Sequence, residues 1–414
     1  GLFHPGNSVP RWHVTWGTGA EIITRILAAI HAHPRRSSLR VFCQYQVDEL
    51  VARGGTIVGA RGTNLATGGE FELQAEQVII ASGGTSGGDL SPVRRNWPTG
   101  WGPPPRLLLN GSHRFADGKL HEQVKACGGR LTHMEKQWHY AAGIHHPARR
   151  KPFDGLSLLP PRSALWMNAR GERIGPVPLM GYTDTHFLVE SILKSPGQYS
   201  WLILNWTIAL KELAVSGGEY MTAFRDKNRL QVLRQLLFGN VELVKRLARE
   251  CPEDFLVADT WEDLIERMNR ASLEGHRVDP VALRAAVEEY DAQITRGPRY
   301  FTDDQLRRIA AFRTYRGDRM RMCRFQRIDD PGARPLVAIR NFILTRKSLG
   351  GIQTDLGCRV LDDSGQPIAG LYAVGEAAGF GGGGIHGQKS LEGTFLGSCV
   401  LTGRLAARAI AGSS

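Results

Sequence analysis

The chain has 414 residues, 42% of them hydrophobic and 22% charged, and a formal net charge of +12 from 52 Lys and Arg against 40 Asp and Glu. That length exceeds one simple core and predicts two domains, and the mixed charge without low-complexity tracts excludes a disordered or collagen-like chain. The positive charge raises nucleic-acid binding as a class, but Lys and Arg are spread along the whole chain with no nucleic-acid motif, so a basic surface or a site for an anionic cofactor or substrate is the plainer expectation.

In chain order, Gly1 to Gly19 reads as loop, and the start at Gly1 rather than Met points to processing or truncation. Ile22, Ile23, Ile26, Leu27 and Ile30 recur at helical spacing, predicting a helix over Ala20 to His33. A strand is expected at Leu39 to Tyr45, with Val47 to Leu50 extending it. Thr56 to Arg61 and Glu70 to Leu73 read as strands around the turn Thr67-Gly68-Gly69. Gln77-Val78-Ile79-Ile80-Ala81 is a short apolar strand of the kind covered on both faces, and it stops at Ser82-Gly83-Gly84-Thr85-Ser86-Gly87-Gly88. A helix over Leu120 to Ala126 closes at Gly128-Gly129.

From about His146 the texture changes. Pro and Trp are frequent up to Trp206, and amphipathic patterns follow over Arg229 to Ala248, Thr260 to Ala271 and Pro280 to Ile294. These predict a largely helical domain with a small strand component. From Leu336 strand signals return, ending in Leu371-Tyr372-Ala373-Val374 and a final helix over Thr394 to Ala411. The two ends share one texture and the middle another, the layout of a nucleotide-binding domain interrupted by an inserted cap. The boundaries expected are 1–145 and 336–414 for the two parts of the binding domain and 146–335 for the cap.

No run of apolar residues is long enough to span a bilayer, and no signal peptide opens the chain. The six cysteines are scattered with no CxxC pair, which predicts reduced, mostly buried thiols and a soluble cytoplasmic protein.

The chemistry concentrates near the C-terminus. The strand Gly370-Leu371-Tyr372-Ala373-Val374 runs into Gly375-Glu376-Ala377-Ala378-Gly379, then a Gly-rich stretch through His386-Gly387 and Ser390-Leu391-Glu392-Gly393-Thr394. Gly375 allows a ligand to approach the backbone, Glu376 offers a carboxylate to sugar-like hydroxyls, and the start of the final helix offers unpaired N–H groups and a favourable dipole for negative charge. This segment resembles the C-terminal flavin-binding signature of the fumarate reductase and succinate dehydrogenase flavoprotein superfamily, and GGGGIHGQKSLEGT is most similar to 3-ketosteroid dehydrogenase-like members. Val78 to Gly84 resembles the family's second phosphate-side turn, Tyr45 to Leu50 its adenine-side strand, and Asp117-Gly118 to Leu131 its DG…A.GG.L helix.

The resemblance implies an α/β fold with a Rossmann-like, parallel-sheet FAD-binding domain and an inserted α+β cap. It also implies FAD as cofactor, contacted by Val47, Ala81, Ser82, Gly83, Gly84, Asp117, Gly375, Glu376, Ser390 and Leu391. The reaction implied is hydride transfer between flavin N5 and a carbon near a carbonyl-activated position of an apolar, steroid-like substrate. Tyr182, Lys347 and His386 are the catalytic candidates. Tyr140 and Tyr199 are also available for enolisation, and Arg346-Lys347 stands where the fumarate reductase branch carries a His. Ser390 in place of that branch's carboxylate-binding Arg disfavours a dicarboxylate. The family's opening strand–GxGxxG–helix is not found; Gly17-Thr18-Gly19 lacks the third Gly because Ile22 stands there. The alternative is therefore a truncated or subunit-type homologue, inactive without a partner chain that supplies this unit. His145-His146 has no third ligand at metal spacing, so no metal is expected. Arg316, Arg319, Arg321 and Arg324 read as a solvated or ion-paired face.

Overall fold

The computed structural model describes residues 15–175, 185–379 and 394–412. Its elements mix helix and sheet. Helix α1 (Thr18–Ala32) follows Gly17, whose φ of 95° makes the preceding turn. The extended run expected from Leu39 begins only at β1 (Tyr45–Arg53), because Gln44 adopts a left-handed φ of 64° and turns the chain. β1, β2 (Thr56–Asn64) and β3 (Glu70–Gln74) form an antiparallel meander.

Strand β4 (Val78–Ile80) leads into helices α2 (Ser91–Arg95) and α3 (Lys119–Ala126). Two long strands follow, β5 (Gln137–His145) and β6 (Leu336–Ser348). They pair antiparallel at the centre of an eight-stranded sheet that takes further strands from 155–168, 200–215 and 255–258. β6 reads LVAIRNFILTRKS and is buried over ten successive residues. A strand covered on both faces shows no apolar-polar alternation, which is why its partners cannot be read from its own sequence. The helical region is interrupted at Gly239, whose φ of 78° ends the helix Arg229–Phe238, and Asn240 caps Val241–Glu250 by accepting the Leu243 amide at 3.3 Å.

β7 (Arg359–Leu361), β8 (Pro367–Ala373) and β4 form a three-stranded sheet in the order β7–β8–β4, in which β8 and β4 are parallel. Among the described residues, this pair, the short pairing of Leu109–Asn110 with β6 and the isolated bridge Asn110–Asp154 are the parallel contacts. The eight-stranded sheet is otherwise antiparallel, and the parallel pairing expected of the binding domain is represented by β8 and β4. Side chains of β8 alternate between two faces. Leu371 and Ala373 pack with Ile57 of the meander, Ile80 of β4 and Val124 of α3. Tyr372 and Val374 pack with Ala406 of the last helix, α4 (Thr394–Gly412). Burying Leu371 fully contributes about 2 kcal/mol. At Gly370 (φ 77°) a Cβ would lie 2.2 Å from the Ile57 carbonyl oxygen, so the layers reach this distance only because no side chain intervenes.

Candidate active site

Because β4 and β8 run parallel, their C-terminal ends open on one edge, where a ligand crevice is expected. β4 ends in Ala81-Ser82-Gly83-Gly84, with Gly83 at φ 80°. β8 ends at Gly375, at φ 63°, whose N–H donates to Thr402 Oγ1 of α4 at 2.9 Å. The two turns touch. A Cβ on Gly84 would lie 2.5 Å from Glu376 Oε1 and 2.5 Å from Ser348 Oγ, so glycine is required by space.

The end of β6 completes the site. The Ser348 N–H donates to Glu376 Oε1 at 2.8 Å, and Ser348 Oγ accepts the Thr85 N–H at 2.9 Å. Gln137 Oε1 accepts from Ser86 Oγ at 3.0 Å and from Ser348 Oγ at 3.2 Å, closing a buried polar network beneath the turns. Burial raises the Glu376 carboxyl above the usual range, opposed by the Ser348 amide and by the Lys347 and Arg346 cations. A cavity of about 340 Å³ opens here, lined by Ala81, Ser82, Gly83, Arg346, Lys347, Glu376 and the segment around Ser112.

The cations rest on aromatic faces. Lys347 Nζ lies 4.6 Å from the Phe395 ring centroid and 5.3 Å from that of Trp138, and the Arg346 guanidinium lies 5.3 Å over Tyr140. Trp138 and Phe395 meet edge to face at 5.4 Å. The cavity therefore joins a carboxylate to two cations that are backed by buried aromatic rings, with Phe115 in its lining.

The structure thus brings together Ala81, Ser82, Gly83, Gly84, Lys347, Gly375 and Glu376. Asp117 stands beside them rather than in the cavity: its Oδ1 accepts the Lys119 amide at 3.1 Å and opens α3. Val47 is half-buried in β1, paired with Gly62, away from the cavity lining. Tyr182, His386, Ser390 and Leu391 lie outside the described residues. Tyr140 is buried under Arg346, whereas Tyr199 is a core residue whose hydroxyl accepts the Leu273 amide at 3.3 Å. Arg316, Arg319, Arg321 and Arg324 are all exposed. Sequence reasoning missed the roles of Ser348, Gln137 and Thr85, since only tertiary pairing brings 85, 137 and 348 together.

The cofactor implied by the sequence fits this crevice. The Gly83-Gly84 backbone forms a cradle that a Cβ would fill, and Ser348 engages Oε1 of Glu376, leaving Oε2 as an acceptor for a sugar-type hydroxyl. Two further features qualify the sequence reading. His145 does have carboxylates beside it, Glu253 and Asp254, more than a hundred residues on. Asp254, however, already accepts the His145 amide at 2.7 Å, the His145 ring at 2.9 Å and the Arg340 guanidinium at 2.8 Å, and a cation there would compete with that guanidinium. The cysteines are free, but Cys43 and Cys399 are exposed and Cys127 is half-buried, so only half of them are core thiols. Among the described residues no helix is long and apolar enough to cross a membrane.

The family described as FAD binding domain matches residues 2–396. A KsdD-like steroid dehydrogenase of Mycobacterium tuberculosis is 39% identical over 420 residues, covering 98% of this chain and 73% of its own length. Another from Mycolicibacterium smegmatis is 40% identical over 407 residues, covering 94% and 72%. Among solved structures, 3-ketosteroid delta1-dehydrogenase from Sterolibacterium denitrificans superposes with a TM-score of 0.61 at 18% identity, over 92% of this chain. A flavocytochrome c3 fumarate reductase superposes with a TM-score of 0.60 at 20% identity, over 96% of this chain. The chain spans 61% and 56% of those two solved chains, under two thirds of each. The match over nearly the whole chain, together with the glycine cradle and Glu376, shows that the chain belongs to the FAD-binding domain family of flavoprotein oxidoreductases.

Proposed function

We propose that this chain forms the larger part of an FAD-dependent oxidoreductase that makes or reduces a C=C bond beside a carbonyl group in an apolar, steroid-like substrate. The observation that carries the reading is the convergence of Glu376 and the Gly83-Gly84 cradle with Arg346 and Lys347 on one cavity, the Lys347 cation being backed by aromatic rings. Two relatives named as KsdD-like steroid dehydrogenases and a solved neighbour described with 1,4-androstadiene-3,17-dione bound support the substrate class.

FAD, when bound, supplies the hydride acceptor or donor. The chain's own residues hold and polarise. Ala81 to Gly84 and Glu376 grip the cofactor through backbone and carboxylate. Lys347 and Arg346 place positive charge where a substrate carbonyl oxygen gains negative charge, which lowers the barrier to removing a neighbouring proton. Trp138, Tyr140 and Phe395 pack behind the two cations and exclude water from that side. Tyr182 and His386 are the proposed proton carriers, Val47, Asp117, Ser390 and Leu391 the further cofactor contacts, and 1–145, 146–335 and 336–414 the proposed domain divisions, built as a Rossmann-like binding domain with an inserted cap.

A second reading keeps the fold but makes the chain dependent on another polypeptide for its first phosphate-binding unit. β4 forms an edge of its sheet among the described residues and Ile79 is 45% exposed there, an apolar edge on which a further parallel strand would fit. One experiment separates the readings. The purified chain is mixed with FAD, desalted, and its visible spectrum recorded, followed by anaerobic addition of a 3-ketosteroid. Retained flavin that bleaches with steroid, and does not in Lys347→Ala, supports the first reading. A colourless chain that becomes yellow only with an added GxGxxG-containing segment supports the second. Flavin retained but unreactive toward every 3-ketosteroid and enone offered overturns the substrate class.

A further inference from the structure

A second and larger cavity, about 850 Å³, lies on the other side of the polar network. Its lining includes His121, Lys125 and Arg130 from α3 and the turn after it, Arg95 and Asn96 from the end of α2, and Thr85. None of the residues proposed to hold FAD lines it. It shares a wall with the flavin site through two contacts. Thr85 donates its N–H to Ser348 Oγ, and the Ser348 N–H donates to Glu376. His121 Nε2 is 3.1 Å from the Ala377 carbonyl oxygen, one residue beyond Glu376.

The chemistry of the lining is specific. Arg95 pairs with Glu122 at 3.2 Å, while Lys125 and Arg130 form no ion pair among the described residues and are exposed at the mouth. Glu122 and Asp363 also line the cavity, but with Glu122 paired to Arg95 the lining keeps Lys125 and Arg130 against Asp363 alone, a net positive charge that attracts an anion, and Arg fits phosphate oxygens in a bidentate manner. His121 is 1% exposed. Because a carbonyl only accepts, Nε2 must carry the hydrogen, which leaves Nδ1 a bare acceptor, and Nδ1 has no hydrogen-bond partner. A buried acceptor of this kind is satisfied by a hydroxyl donor; inorganic phosphate carries a P–OH near neutral pH, but on the phosphorus that the cations would hold, whereas a phosphate ester brings a hydroxyl on its carbon skeleton. The volume is that of a small-molecule site rather than an ion site.

We propose that this cavity is a second ligand site that takes a hydroxyl-bearing phosphate ester, with Lys125 and Arg130 on the phosphate and His121 Nδ1 accepting from a hydroxyl. The site is independent of the flavin and of the steroid reading. Glucose 6-phosphate is the probe, since it carries no adenine and does not compete for FAD. The expected result in calorimetric titration of the whole chain at low salt is saturable binding, unchanged by saturating FAD. Inorganic phosphate and glucose should each bind at least tenfold more weakly. The double variant Lys125→Ala/Arg130→Ala alters only exposed side chains and should weaken binding at least tenfold. His121→Leu removes the Nδ1 acceptor, and should weaken glucose 6-phosphate while leaving inorganic phosphate, held by Lys125 and Arg130, unchanged. Absence of binding, binding indifferent to the double variant, or equal affinity for phosphate and glucose 6-phosphate would overturn the proposal.

Discussion

Replacing Gly84 by alanine tests whether the crevice is built by backbone contact. The added Cβ would sit 2.5 Å from Glu376 Oε1, 2.5 Å from Ser348 Oγ and 3.0 Å from Ser348 Cβ. Ordinary carbon–oxygen contact is about 3.5 Å, so the neighbours must retreat by roughly 1 Å. Ser348 is fully buried on β6 and cannot retreat without disturbing Gln137 and Thr85. Glu376 can swing, but doing so breaks the 2.8 Å bond from the Ser348 amide, a charge-assisted bond worth about 1.5–3 kcal/mol. Overpacking of this kind costs about 1–3 kcal/mol in all. Two measurements follow: thermal unfolding without flavin, and FAD affinity by fluorescence quenching. Gly84→Ala should lower the melting midpoint by a few degrees and weaken FAD binding at least tenfold. Gly100→Ala is the control, since its Cβ would meet nothing within 4 Å, and it should be neutral or slightly stabilising. If Gly84→Ala behaves like Gly100→Ala in both assays, the cradle is not built as described.

Two further outcomes are expected. Glu376 has its carboxyl raised by burial, so its contribution to stability is present below the unfolded value and is lost as pH rises through the folded one. Glu376→Gln should therefore melt at a higher temperature than the parent at pH 7 without flavin, yet bind FAD more weakly; a variant weakened in both would contradict the burial argument. His139 lies between Trp97 and Trp101, with ring centroids 4.8 and 5.8 Å away, and both its nitrogens lack partners. Burial, with the nearby His186 adding to it, pushes its ring from 6.5 down to about 3. A depressed histidine stabilises above its unfolded value and loses that contribution as pH falls, about 2 kcal/mol by pH 5. His139→Phe should lose less stability than the parent between pH 7 and 5, and an identical pH dependence in differential scanning calorimetry would refute the assignment.

The strand ends that carry the site were legible in the sequence because their signals are local. Val78-Ile79-Ile80 before Ser82-Gly83-Gly84, and Leu371-Tyr372-Ala373-Val374 before Gly375-Glu376, each announce an apolar strand broken by residues that tolerate positive φ or close approach, although Ile79, expected to be covered on both faces, is 45% exposed. α1, α3 and the terminal helix were legible for the same reason, since helical periodicity lies within one segment and α3 is closed by Gly128-Gly129. The break at Gly239 had a local signal too, but the amphipathic pattern on both sides masked it.

What only the tertiary structure decided is the pairing. β6 is buried over ten successive residues with no alternating face, so nothing in its own residues selects β5 as partner across nearly two hundred residues or makes their pairing antiparallel. That pairing carries Gln137 to Ser348, and Ser348 to Glu376 and Thr85, assembling the polar floor of the site. The contact of His121 with Ala377, and the cavity beside it, depend on α3 packing against the turn after β8. Such contacts are fixed by which buried surfaces fit one another, a property of whole layers, and no short stretch of sequence contains it.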